Sequence, residues 1–147
     1  MNVSAALDSY CLYLYTPLKN LPNVEDDAVT DASTTIAELR QLMASFVSER
    51  DWQPFHSPKN LAMALACEAA ELMEHFLWME NAESRQRMMD PAQLAAVAEE
   101  LADVLGVCLA LANALNLDLS EAFRAKMARN LLKYPADKIR GRYRLEE

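Results

Sequence analysis

From Asp31 onward, apolar side chains recur every three or four residues, beginning with Ile36, Leu39, Leu42, Met43, Phe46 and Val47. That spacing lays them along one face of an amphipathic helix that runs to about Glu49. The segment Asp51-Trp52-Gln53-Pro54-Phe55-His56 breaks the pattern as a loop, because Pro54 and Pro58 both interrupt helix. Ser57-Pro58 restarts it, with serine as N-cap and proline in the first turn. A second helix is expected from about Pro58 to Met79, its stripe carried by Leu61, Leu65, Leu72 and Phe76. Asp90-Pro91-Ala92-Gln93 reads as a capping-box variant opening a third helix to about Leu115, with Val97, Leu101, Val104 and Leu105 along its face. Asp118-Leu119-Ser120-Glu121 opens a fourth, which Pro135 ends.

The two ends read differently. In residues 1–30, Ser4 to Tyr15 can form a short helix with Leu7, Tyr10, Cys11 and Leu14 on one face, followed by a linker of Pro17, Pro22 and Glu25-Asp26-Asp27. This arm either packs on a partner subunit or stays mobile. Residues 31–147 form the expected single domain, closing in a basic, irregular tail from Asp137 onward.

Composition supports an all-α chain. Only two glycines occur in 147 residues, which disfavours phosphate-cradling glycine loops, dinucleotide-binding turns and tight-turned β folds. Ala, Leu, Met and Glu, all good helix formers, dominate instead. The net charge of −8 argues against general binding to nucleic acid through its phosphates. It is unevenly spread: nine acids face two arginines between Leu65 and Asp103, whereas eight bases face three acids from Arg124 to Glu147. An acidic centre beside a basic tail suits a metal ion plus a polyphosphate. Cys11, Cys67 and Cys108 are odd in number and scattered, so disulfides are not expected and a reducing cytoplasm is. With no basic n-region and with Asp8 interrupting its apolar stretch, the N-terminus is not expected to act as a signal peptide. The longest uncharged helical run, 14 residues between Asp103 and Asp118, is too short to span a membrane.

Against this background two carboxylate pairs stand out, Glu68/Glu71 and Glu100/Asp103. An i, i+3 spacing places each pair on one helix face. Both lie close to the apolar stripe, where acids are costly unless something positive compensates them. A short connection makes successive helices antiparallel, so the pairs can converge at one level of a bundle. Four oxygen donors favour Mg²⁺, with Mn²⁺ as a substitute, over zinc. Di-iron chemistry does not fit. It needs Glu-x-x-His on two helices, but His75 follows Glu71 by four residues and the third helix has no histidine. With only His56 and His75 in the chain, a metal-activated water is a better nucleophile than any side chain.

The run Arg50-Asp51-Trp52, Phe55-His56-Ser57-Pro58-Lys59-Asn60-Leu61, then Glu68-Ala69-Ala70-Glu71-Leu72 and Leu77-Trp78, resembles the MazG-like nucleoside triphosphate pyrophosphohydrolases, most of all their dCTP pyrophosphatase branch. Glu99-Glu100-Leu101-Ala102-Asp103-Val104-Leu105 continues the likeness, as do Lys126-Met127, Asn130, Lys133, Tyr134 and Pro135. It covers about residues 36–143.

The resemblance implies a four-helix-bundle-like fold assembled as a homo-oligomer, a tetramer or alternatively a dimer. It also implies Mg²⁺-dependent hydrolysis of a (deoxy)nucleoside triphosphate to monophosphate and pyrophosphate, with dCTP or modified pyrimidine forms as substrates. Glu68, Glu71, Glu100 and Asp103 match metal ligands, and Glu71, with Glu68 beside it, is the expected catalytic carboxylate. Trp52, His56, Lys59, Asn60 and Trp78 match substrate-binding positions, the tryptophans lining the base pocket. Lys126, Asn130, Lys133 and Tyr134 match positions on the phosphate side. Two positions depart from the branch: Val107 replaces a common tyrosine, and Met43 stands where some relatives carry a histidine. A non-catalytic helical interaction module with a residual ion site is the alternative.

Overall fold

The computed structural model describes residues 29–142. The arm expected over residues 1–30 lies almost wholly outside the described residues, as does the end of the basic tail. The chain divides into two compact units, Met1–Leu115 and Asn116–Glu147. Within the first lie α1 (Ile36–Ser48), a 3-10 turn (Gln53–Phe55), α2 (Pro58–Glu74), α3 (Asn81–Arg87) and α4 (Pro91–Ala114). The second holds α5 (Leu119–Lys133) and α6 (Ala136–Ile139). Among the described residues there is no strand, as the scarcity of glycine implied.

Each long helix starts on a side-chain cap that satisfies backbone N–H groups left without an intrahelical acceptor. Thr35 opens α1 in a full capping box, its Oγ1 accepting from the Glu38 N–H at 3.2 Å while the Glu38 carboxylate accepts from the Thr35 N–H at 2.6 Å. Ser57 caps α2 by accepting from the Asn60 N–H at 3.3 Å, and Asp118 caps α5 by accepting from the Glu121 N–H at 2.9 Å. At the head of α4 the Asp90 carboxylate accepts from the Ala92 N–H, but the reciprocal half of the expected box is absent. Gln93 instead accepts from Arg87 Nε at 2.8 Å, tying α4 back to the end of α3.

Three features differ from the sequence reading. The second helix ends at Glu74 rather than near Met79, and His75 is its C-cap. The apolar spacing continues through Phe76 and Met79, but the backbone turns, and Trp78 adopts φ 61°. Turns of this kind are usually announced by glycine; here a bulky residue takes the left-handed conformation, at a cost of about 1 kcal/mol or more. The second difference is α3, seven residues within what had read as a plain connection. The tail also holds one further helical turn, α6, where irregular chain was expected.

The first unit is organised around α4, which packs chiefly on α2 and secondarily on α1. Leu61 of α2 clusters with Val107 and Ala110 of α4, and Met43, Ala64, Leu65 and Leu111 pack against them. Farther along α2, His75 faces Glu100. Rising numbers on one helix thus meet falling numbers on the other, so the pair is antiparallel. The best-enclosed part of α4 is its C-terminal half, where Val107, Leu109, Ala110 and Ala112 are buried, whereas Leu94, Leu101 and Leu105 are exposed. Gly106 lets α1 approach closely: a Cβ there would stand 3.1 Å from Met43 Cε. Met43 and Val107 therefore meet in the same apolar cluster.

One polar tie fastens α1 to α4. Arg40 Nε donates to Asn113 Oδ1, and Asn113 Nδ2 donates to the Arg40 carbonyl, both at 2.9 Å and half-buried. Asn113→Ala removes both bonds and leaves the Arg40 carbonyl without that donor. It should lower unfolding free energy by about 1–3 kcal/mol in urea titration.

Candidate metal centre

The acids come together on the facing sides of α2 and α4. Glu68, Glu71 and Glu100 each present a carboxylate oxygen within 4.8 Å of the others. Glu68 is the most enclosed, at 4% exposure, and the only buried charged residue among those described. Asp103, one turn beyond Glu100 on α4, is half-buried and acts electrostatically on both Glu68 and Glu100. Glu74, Glu80 and Glu99 stay exposed.

Burial and mutual repulsion reinforce each other in this cluster. Loss of water first, then the charges of Glu71, Asp103 and Glu100, push the Glu68 carboxyl up to about 7. Glu100 is raised for the same reasons, by desolvation and by Glu71 and Asp103, with His75 opposing. Asp103 is raised by desolvation and then by Glu71 and Glu99. Every charge that acts on Glu68 is negative, so ionising it at neutral pH calls for a positive partner. The donor set fits a hard divalent cation: all-oxygen, multiply anionic and partly open to solvent.

The remaining sequence candidates fall into smaller groups. Trp52 and His56 stack nearly parallel, with centroids 6.3 Å apart, and His56 Nδ1 lies 2.8 Å from the Trp52 carbonyl. A carbonyl only accepts, so Nδ1 carries the proton. Phe46 meets Trp52 edge to face, and the Arg50 guanidinium lies 3.7 Å from the Phe46 ring centroid. Asn60 Nδ2 donates to the Phe55 carbonyl at 3.0 Å, pinning the 3-10 turn to the start of α2. Lys59 is exposed beside it. Trp78 stands 98% exposed in the turn after α2.

Lys126, Asn130, Lys133 and Tyr134 belong to the second unit. There the Lys133 ammonium lies 5.0 Å from the Tyr134 ring centroid, and the Tyr134 N–H donates to the Asn130 carbonyl at 2.8 Å. The sequence reading missed His75 beside Glu100, and Phe46 and Arg50 around Trp52. The i+4 spacing from Glu71 to His75 was the available signal for the first; no local signal pointed to the second.

The MazG-like family model matches residues 63–143, which takes in both acid pairs and α5. The chain belongs to the MazG-like family. Within that family it is similar to rat dCTP pyrophosphatase 1, 43% identical over 107 residues, and to the human protein of the same name, 42% identical over the same length. Each match covers 73% of this chain and 63% of the relative, so the chain spans less than two thirds of the length of these MazG-like relatives. Among solved structures, a pyrophosphatase from Archaeoglobus fulgidus superposes with a TM-score of 0.64 at 32% identity, covering 74% of this chain and 99% of that one.

The acid cluster makes a signed prediction about stability. A carboxyl held above its ordinary value stabilises the fold below about pH 4.5 and loses that contribution as pH rises toward 7. Without metal, Glu68→Gln should therefore match the wild type near pH 4 and melt roughly 3–8 °C higher at pH 8. Mg²⁺ should raise the wild-type melting temperature at pH 8 and have little effect near pH 4. Differential scanning fluorimetry across pH, with and without Mg²⁺, reads both effects.

Proposed function

We propose that this chain is a Mg²⁺-dependent nucleoside triphosphate pyrophosphohydrolase that cleaves dCTP, or related modified pyrimidine deoxynucleotides, to the monophosphate and pyrophosphate. The observation that carries this reading is the convergence of Glu68, Glu71 and Glu100, with Asp103 alongside, in a MazG-like chain more than 40% identical to dCTP pyrophosphatases. Residues 31–147 are taken as one catalytic domain.

Glu68, Glu71, Glu100 and Asp103 would hold the cation. Bound there, it would neutralise triphosphate oxygens and lower the pKa of a water poised for attack. Glu71, the less enclosed acid of the α2 pair, is assigned as the general base that takes the proton from that water. Lys126, Asn130, Lys133 and Tyr134, all on the second unit, are assigned as phosphate-binding residues. Trp52, held between Phe46 and His56, offers a rigid face for stacking a base, and Trp78 offers a second. Lys59 and Asn60 flank that region at the start of α2.

The same reading makes the protein a homo-oligomer that works in the cytoplasm, with no nucleic-acid or membrane partner. No helix among the described residues is long and apolar enough to cross a membrane. Leu94, Leu101 and Leu105 on α4, and Phe123, Leu131 and Leu132 on α5, are exposed large apolar side chains of the kind that subunit contacts cover. A tetramer, or failing that a dimer, should appear in sedimentation at micromolar concentration; a monodisperse monomer would sink this part of the proposal.

The activity test is incubation with a panel of deoxynucleoside triphosphates and Mg²⁺. Pyrophosphate and monophosphate should appear, with dCTP and its 5-substituted forms preferred. Glu71→Ala and Asp103→Ala should each lose about 100-fold or more in kcat while keeping a wild-type helical circular-dichroism spectrum. Turnover unchanged in both variants would overturn the assignment.

A further inference from the structure

Beside the acid cluster stands a ring N–H donor that the assigned ligand set leaves out. His75 Nε2 lies 3.9 Å from Glu100 Oε1, with both side chains about four-fifths enclosed. Its placement follows from the helix. Glu68, Glu71 and His75 are spaced i, i+3 and i+7, so all three lie on the α2 face that meets α4. His75 is also the C-cap of α2, its backbone N–H donating to the Met73 carbonyl, which fixes the origin of the side chain.

Glu100 needs such a neighbour. Glu71, Asp103 and Glu99 surround it with negative charge. An ionised carboxylate is purely an acceptor, so the group facing it must be a donor, and the imidazole Nε2–H is one. A separation of 3.9 Å is longer than a direct hydrogen bond, and a small rotation of either side chain closes it.

We infer that His75 is a positioning residue for the metal centre: its Nε2–H holds the Glu100 carboxylate turned toward Glu68 and Glu71, against the repulsion of its acidic neighbours. The inference rests on the proposed assignment of Glu100 as a metal ligand. It requires only the ring N–H, not a change in the charge of the ring. Groups that hold a metal ligand in place in this way typically govern about 10–100-fold in metal affinity.

The test is Mn²⁺ binding to the full-length protein, followed by electron paramagnetic resonance of the free ion, without nucleotide. His75→Ala should weaken Mn²⁺ binding about tenfold, with helical circular dichroism unchanged. His75→Gln, which keeps an N–H donor at similar reach, should stay within about threefold of wild type by the same reasoning. At saturating Mn²⁺ the kcat of His75→Ala should return to near the wild-type value, because the defect lies in holding the metal. Wild-type affinity in His75→Ala, or equal weakening in Ala and Gln variants, would overturn the role. Binding by the wild type with no hydrolysis of any nucleotide would count against the proposed function and leave His75 to be judged on affinity alone.

Discussion

The arrangement of the first unit turns on a conflict between packing and charge along one helix pair. Leu61, Val107 and Ala110 draw α2 and α4 together by burying apolar surface, and the antiparallel register they set brings Glu68 and Glu71 against Glu100 and Asp103. The acids cannot separate without unzipping that contact. Their cost appears as the raised protonation of Glu68, Glu100 and Asp103. A bound cation would reverse the sign of the arrangement, because the proximity that repels the bare acids is what would let them coordinate it.

How much of this could be read in the chain differs from element to element. The four long helices, and the starts of α2, α4 and α5, were legible because their signals are local: apolar spacing, a capping Ser or Asp, and proline in the first turn of α2 and α4. Convergence of the acid pairs was legible too, since i, i+3 spacing near an apolar stripe on consecutive antiparallel helices leaves few other arrangements. The end of α2 was not, because apolar spacing runs on past Glu74 and no glycine marks the turn that Trp78 makes at φ 61°. The role of Gln93 was misjudged for a tertiary reason. Its side chain had a local partner available in the capping box and was taken by Arg87 of α3. Likewise, nothing within α4 announces that Asn113 serves Arg40, 73 residues away.

The residues expected to contact substrate divide along the same line. Trp52 and His56 form one stacked unit because a 3-10 turn brings residues four apart together. Their support by Phe46 and Arg50 depends on how the chain leaves α1, and sequence spacing does not encode that. Trp78 stands fully exposed in this chain and is held in a strained conformation. Met43 and Val107 join one apolar cluster.

The central claim is that the carboxylates of α2 and α4 form one divalent-cation site. It is tested most directly by anomalous diffraction from crystals soaked in Mn²⁺. The account predicts an anomalous peak between Glu68, Glu71, Glu100 and Asp103, with carboxylate oxygens at about 2.1–2.3 Å. A protein that crystallises with this cluster open to solvent yet shows no peak there at millimolar Mn²⁺, or shows one only elsewhere, would contradict it.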